Sequence, residues 1–134
     1  MTNLDDLKNL LYSKNASLVV CYSNGEIKEY YQKRVNDIKD ILHENINALE
    51  GAIIADKVIG KLAGSLLAVA GVKEIYADIL SEYAIPVLEK YNIKYEYKTL
   101  VPYIINNDHT GMCPMENRFK DEEDVEKIFQ EIIG

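Results

Sequence analysis

The sequence predicts an α/β fold, a three-layer α/β/α sandwich around a mixed sheet with an N-terminal β-hairpin, and three observations predict it. First, Asn24 and Gly25 join two β-rich runs, and both residue types accept the positive φ of a tight hairpin turn. Second, amphipathic helical patterns alternate with further β-rich runs. Third, residues 51–71 are small or aliphatic on nearly every face, which is typical of a buried element. A sheet among such helices is covered on both faces.

The helices are predicted from apolar spacing and from capping residues. Leucines at helical spacing beside two aspartates begin the first helix. Gly60 and Gly64 lie within the third, central helix, where the missing side chains allow a close approach to the sheet. Ser81 is predicted to cap the fourth helix, with Glu82 in its first turn, where the helix dipole favours a carboxylate. The predicted helices cover about residues 4–11, 35–45, 51–71, 83–91 and 121–132.

The strands are predicted from short β-rich runs. Residues 93–98 alternate isoleucine or tyrosine with lysine and glutamate, which predicts a strand with one solvated face at the edge of the sheet. A polar loop over residues 106–111 follows it and leads to Cys113. The predicted strands cover residues 18–22, 26–31, 73–80, 93–98 and, as a last short strand, 100–105.

Length, charge and cysteine content limit the class of protein. The 134 residues fit a single domain, 1–134, and the net charge of −7 opposes binding to nucleic acid. The longest apolar stretch is too short to cross a membrane, and the first residues lack the basic and apolar regions of a secretory signal. Two cysteines are too few for a disulfide framework. We therefore expect a cytoplasmic protein that binds neither nucleic acid nor membrane.

Two short motifs connect this element order with a known family. The run ADKVIGK occupies residues 55–61, and the run CPME occupies residues 113–116. Together they resemble the family called domain of unknown function 1893, whose members are assigned a cytidine-deaminase-like fold. The resemblance covers residues 18–116 and implies that fold, without an established reaction. By analogy with deaminase-like folds, it also implies a homo-oligomer.

Comparison with true deaminases argues against zinc chemistry. Those enzymes hold Zn²⁺ through an H-x-E or C-x-E motif and a P-C-x-x-C motif, and the glutamate moves the proton. The corresponding positions here carry Asp56 and Lys57 at the first site and Ser81 and Glu82 at the second, without histidine or cysteine. The remaining histidines and cysteines lack ligand spacing. We therefore predict no metal site and no cofactor.

An anion site is the sharper interpretation of the central motif. Lys57 and Lys61 are four residues apart, so on a helix they share one face within the most apolar part of the chain. Free N–H groups at a helix start and two ammonium groups would favour a phosphate. Asp56 would contact ribose or orient Lys57, and Ser81 and Glu82 would line the opposite wall. The predicted ligand is a phosphorylated small molecule, such as a nucleotide or an ADP-ribose-like compound.

Several alternatives remain open. Both lysines could extend their amines into solvent, and the aspartate and serine could serve only as helix caps. The chain could instead be an enzyme that forms a covalent intermediate through Cys113, Lys57 or Lys61. It could also be a non-catalytic interaction module. Whether the chain catalyses any reaction is left open by the sequence.

Overall fold

A five-stranded mixed sheet forms the centre of the computed structural model, which describes residues 2–32 and 35–134. The strand order is β2-β1-β3-β4-β5. β1 runs antiparallel to both of its neighbours, whereas β3, β4 and β5 are parallel to one another. The strands are β1 (Leu18–Cys21), β2 (Ile27–Tyr30), β3 (Ile53–Ile59), β4 (Glu74–Ser81) and β5 (Lys94–Val101).

Helices cover the two faces of the sheet unequally, and this confirms the three-layer α/β/α arrangement. One face packs against a single helix, α1 (Leu4–Ser13), in a small apolar cluster. The larger cluster on the opposite face contains side chains from all the other helices. These are α2 (Asn36–Glu44), α3 (Lys61–Val69), α4 (Ile85–Lys90), α5 (Pro114–Phe119) and α6 (Val125–Ile133).

Local signals at the N-terminal end are confirmed. Asn3 caps α1, because its side chain accepts a hydrogen bond from the N–H of Asp6 while the carboxylate of Asp6 accepts one from the N–H of Asn3. The hairpin turns at Gly25, whose φ of +91° is the left-handed conformation that glycine adopts without strain. The first helix and the hairpin therefore form where the sequence predicts them.

The predicted central helix over residues 51–71 is wrong in its first half. Residues 53–59 form β3, and only residues from Lys61 onward form the helix α3. A strand between two others, covered on both faces, is apolar throughout, so its pattern resembles that of a buried helix. Isoleucine and valine, which favour strands, make up most of β3, and Gly60 separates it from the helix.

Three smaller differences affect the carboxyl edge of the parallel strands. Ser81 is the last residue of β4, and α4 begins later, at Ile85. The predicted separate strand over residues 100–105 is wrong, because β5 continues to Val101 and Ile105 forms only an isolated bridge with Met112. The short helix α5 was not predicted. In the part of the chain that the structure describes, every helix is too short or too polar to cross a lipid bilayer.

Candidate functional site

The carboxyl edge of β3, β4 and β5, where the sequence predicts a pocket, is closed by the chain itself. The carboxylate of Glu116, at the beginning of α5, accepts hydrogen bonds from the N–H of Lys61 at 2.7 Å and from the N–H of Ile104 at 2.8 Å. Its side chain is buried, with 3% of its surface exposed. Glu116 thus occupies the start of α3, the position that a bound anion would need.

The two motifs that carry the family resemblance meet at this contact. Lys61 ends the first motif and Glu116 ends the second, 55 residues apart in the chain. Gly60 allows the approach, since a Cβ there would lie 2.8 Å from Cγ1 of Ile104 and 2.9 Å from Oε1 of Glu116. The motifs therefore have a structural role in joining α3 to the segment that follows β5.

Lys61 lies in acidic surroundings. Its side chain is 7% exposed, and burial lowers the pKa of its amine, while the carboxylates of Asp121 and Glu116 act in the opposite direction. Among residues 2–32 and 35–134, none offers its amine a carboxylate within ion-pair distance. These nearby carboxylates offset the positive charge and reduce its attraction for an anionic ligand.

Lys57 and Lys61 do not share a helical face, which corrects the sequence prediction. Lys57 lies in β3, and its amine donates to Oδ1 of Asn15, in the turn after α1. Lys61 begins α3, which packs on the opposite face of the sheet. The prediction is wrong because Gly60 ends the strand between the two lysines, so the four-residue spacing does not correspond to one helical turn.

Asp56 is a buried strand residue rather than a helix cap. It pairs with Leu18 of β1 and Ala77 of β4, and its carboxyl oxygen accepts a hydrogen bond from the N–H of Val58 at 3.3 Å. Burial raises the pKa of Asp56 to about 8, and the nearby carboxylate of Asp37 adds to the rise. The carboxyl group is therefore mainly protonated at neutral pH.

Ser81 ends β4 and Glu82 begins the turn that follows it, so neither residue lies in the first turn of a helix. The Ser81 hydroxyl accepts a hydrogen bond from the N–H of Tyr83 at 3.1 Å, and Ser81 is buried. The N–H of Glu82 donates to the carbonyl of Val101, while its side chain is exposed. The ligand-binding role of Asp56, Lys57, Lys61, Ser81 and Glu82 stays a prediction.

Cys113, the candidate nucleophile, belongs to the closed edge. It is half-buried at the N-cap position of α5, and its N–H donates to the carbonyl of Ile104 at 2.8 Å. His109 lies in the exposed loop that precedes it. In the described residues, no three side chains of the metal-ligating types converge on one point. A catalytic role for Cys113 stays a prediction.

A groove that the sequence analysis missed lies on the face covered by α1. It encloses about 290 Å³ between α1 and the parallel strands β4 and β5. We call it the tyrosine–lysine groove, and its lining residues are Lys8, Tyr12, Tyr76, Tyr97 and Lys98. The available signals were the spacing of Lys8 and Tyr12 along one helix face and the lysines of the edge strand, but these signals do not reveal that the two elements meet.

Hydrogen bonds fix two of its tyrosines. The Tyr12 hydroxyl donates to Oδ1 of Asp78 at 2.5 Å and lies 2.7 Å from the Tyr76 hydroxyl. Since the proton of Tyr12 is engaged by Asp78, the Tyr76 hydroxyl donates to Tyr12. Burial and the hydrogen bond to Asp78 raise the pKa of Tyr12, so its phenol stays neutral. The chain of bonds ties α1 to β4 and holds the floor of the groove.

Two ammonium groups flank this floor. The amine of Lys8 lies 5.2 Å from the ring centre of Tyr76, and the amine of Lys98 lies 5.7 Å from that of Tyr12. Across residues 2–32 and 35–134, neither amine has a carboxylate within ion-pair distance. The groove therefore presents two positive charges and the carboxylate of Asp78 beside aromatic rings, in a chain whose net charge is −7.

A larger groove of about 490 Å³ along α5 and α6 is less suited to a charged ligand. Its cations are already neutralised, because Arg118 pairs with Glu131 and Lys127 pairs with Glu122 at 3.3 Å. These pairs are mostly exposed and leave no excess charge of either sign. Volume alone therefore does not identify the binding site.

Comparisons with known proteins agree on the family and name no activity. The sequence profile of a domain of unknown function, DUF1893 (TM1506), matches residues 6–133. The crystal structure of a DUF1893 family protein, TM1506 from Thermotoga maritima, is similar with a TM-score of 0.86 and 26% identity, covering 99% of this chain and 90% of that one. No curated protein matches. The cytidine-deaminase-like assignment of the single domain, 1–134, stays a prediction.

Replacing Glu116 should test how the carboxyl edge is held. We expect Glu116→Ala to lower the free energy of unfolding by about 3 kcal/mol or more, because two buried N–H groups lose a charged acceptor. Glu116→Gln should cost less, since its amide oxygen can still accept one bond. Urea denaturation measures both changes. The exposed Glu82→Ala is the matched control, and equal losses in Glu116→Ala and Glu82→Ala would contradict this assignment.

Replacing Asp56 should reveal its raised pKa. A carboxyl group that is protonated in the folded chain up to pH about 8, against 3.8 ordinarily, makes the folded state lose stability as pH rises between these values. Asp56→Asn mimics the protonated form and cannot ionise. We expect the variant to gain stability over the original chain as pH rises from about 5 to about 9, as measured by urea denaturation. A difference that does not change with pH would refute the assignment.

Proposed function

We propose that this chain, which belongs to the DUF1893 family, binds a phosphorylated small molecule in the tyrosine–lysine groove. One observation carries the proposal: Lys8 and Lys98 reach the same groove from different elements, and neither has a carboxylate within ion-pair distance among the described residues. The expected ligand class is a nucleotide or an ADP-ribose-like compound.

The chemistry of the groove matches the two parts of such a ligand. A phosphate group carries up to two negative charges and accepts charge-assisted hydrogen bonds from ammonium groups. A base or another flat ring can pack against Tyr12, which retains 40% of its surface exposed. The groove therefore supports recognition of a charge and of an adjacent ring together.

The groove supports this function better than the carboxyl edge does. Glu116 already occupies the start of α3, and a phosphate placed there would meet its negative charge. The residues predicted from sequence, Asp56, Lys57, Lys61, Ser81 and Glu82, remain a competing location. Lys61 is the best residue with which to test that location, because it begins α3, which packs on the face of the sheet opposite the groove.

The alternatives remain separate from this proposal. Covalent chemistry through Cys113, Lys57 or Lys61 is one alternative, and of these three side chains the amine of Lys57 is engaged by Asn15. We place the protein in the cytoplasm, a proposal supported by its two cysteines, which are too few for a disulfide framework. The hydrogen bonds of the groove also hold α1 on the sheet. The mutations that test binding must therefore distinguish a lost ligand contact from a displaced α1.

Binding should be measured by isothermal titration calorimetry with AMP, ADP-ribose and inorganic phosphate. We expect a phosphorylated aromatic ligand to bind, and Lys8→Gln or Lys98→Gln to weaken it by about tenfold or more, since each removes a charged contact worth about 1.5–3 kcal/mol. Lys94→Gln is the matched control, because Lys94 is exposed on the same strand and lies 3.8 Å from Glu74, outside the groove.

Two outcomes would overturn the proposal. One is that none of the three ligands binds the original chain at concentrations up to about 1 mM, which corresponds to a binding free energy of about −4 kcal/mol. The other is that Lys61→Gln abolishes binding while Lys8→Gln and Lys98→Gln leave it intact, which would locate the ligand at the carboxyl edge. Tyr12→Phe separates anchoring from binding, because it removes the bond to Asp78 and keeps the ring.

A further inference from the structure

A carboxylate lies beside the two lysines of the tyrosine–lysine groove without being paired to either. Asp78 and Tyr76 are two residues apart in β4, so both project from the face of the sheet that α1 covers. The parallel register of β4 and β5 places Asp78 opposite Lys98. Across residues 2–32 and 35–134, the carboxylate of Asp78 has no amine within ion-pair distance. Its negative charge is therefore not neutralised by Lys8 or Lys98.

This carboxylate retains most of its capacity to accept hydrogen bonds. An ionised carboxylate offers about four lone-pair sites on its two oxygens. In the part of the chain that the structure describes, one donor reaches Asp78, the Tyr12 hydroxyl, which donates to Oδ1. Asp78 is only half-buried, so the remaining sites can be reached by a molecule in the groove.

The phenol protons of the groove floor are already used. The Tyr76 hydroxyl donates to Tyr12 at 2.7 Å, and the Tyr12 hydroxyl donates to Asp78 at 2.5 Å. A phenol carries a single proton, so neither hydroxyl has a hydrogen left for a ligand. The floor of the groove therefore offers acceptors to a ligand, whereas Lys8 and Lys98 offer donors.

A ligand that satisfies both kinds of group carries a negative charge together with hydroxyl groups. A phosphate suits the lysines, but close to Asp78 it would meet a charge of the same sign. A ribose hydroxyl instead donates a charge-assisted hydrogen bond to a carboxylate, and dinucleotide-binding folds use a carboxylate on the ribose in this way. The two oxygens of one carboxylate can accept from both hydroxyls of a ribose diol.

We propose that Asp78 is a specificity-determining residue of the groove, which selects ribonucleotides by accepting hydrogen bonds from the ribose 2′- and 3′-hydroxyls while Lys8 and Lys98 bind the phosphate. The inference rests on the proposed function and narrows its ligand class to phosphorylated compounds that carry a ribose diol. A compound that has the phosphate without the diol binds less tightly, because the charge of Asp78 then repels the phosphate without a compensating hydrogen bond.

Isothermal titration calorimetry with AMP and 2′,3′-dideoxy-AMP, which differ only in the two hydroxyls, tests the proposal. We expect the original chain to bind AMP at least about tenfold more tightly, because hydrogen bonds to a charged acceptor are the strong ones. Asp78→Asn keeps an oxygen that accepts from Tyr12 and removes the charge. It should reduce the preference to about threefold or less, and it should bind 2′,3′-dideoxy-AMP at least as tightly as the original chain does.

Glu96→Gln is the matched control. Glu96 is exposed on β5, pairs with Tyr76 across the sheet and does not line the groove. Its replacement therefore removes a nearby negative charge without removing a groove contact. Both affinities should change by the same factor, so the preference for AMP should stay as it is in the original chain.

The outcomes separate this inference from the proposed function. Equal affinities of the original chain for AMP and 2′,3′-dideoxy-AMP overturn selection by Asp78 and leave phosphate binding in the groove standing. A preference that Asp78→Asn leaves unchanged, or that Glu96→Gln removes to the same extent, also overturns it. If neither compound binds at concentrations up to about 1 mM, the inference and the proposed function fail together. The comparison of the two compounds on the original chain holds even where Asp78→Asn displaces α1.

Discussion

The carboxylate of Glu116 is the contact on which the carboxyl edge of the sheet depends. A buried charge is tolerated only when hydrogen bonds replace its lost hydration, and two backbone N–H groups, of Lys61 and Ile104, do so here. The contact joins the start of the central helix to the segment after the last strand. Because of this contact, the carboxyl edge is closed by the chain itself.

The unequal covering of the two faces explains why a groove occurs elsewhere. Five helices pack on one face, whereas α1 alone packs on the other, against the middle of the sheet. β5 therefore lies beside α1 rather than beneath it, and the space between α1 and β5 forms the groove. The bond from Tyr12 to Asp78 keeps α1 in place, and Lys8, one turn earlier on the helix, is left beside that space.

The parts of the fold that local chemistry determines could be predicted from the sequence. Asp5 and Asp6 lie in the first turn of the first helix, Gly25 turns the hairpin, and the alternation in residues 93–98 marks an exposed edge strand. Residues 53–59 could not be assigned in this way, because a strand buried on both faces lacks the alternation that distinguishes it from a helix. The error moved Lys57 onto a helix that it does not belong to.

The candidate site was harder to predict because its contacts are long-range. Glu116 meets Lys61 across 55 residues of chain, and nothing near either residue signals the other. The groove takes residues from three elements, and the 64 residues that separate Tyr12 from Tyr76 hide their contact in the same way. Sequence patterns identify which residues are unusual, whereas topology decides which of them meet.

Gly60 constrains how related sequences can diverge, because a methyl group there would collide with both Ile104 and Glu116. Three positions distant in the chain must therefore vary together, and a relative that acquires a side chain at position 60 must lose bulk at 104 and 116. Without the glutamate, the N–H of Lys61 would lose its acceptor, so the size of the residue at position 60 is linked to how the start of this helix is satisfied.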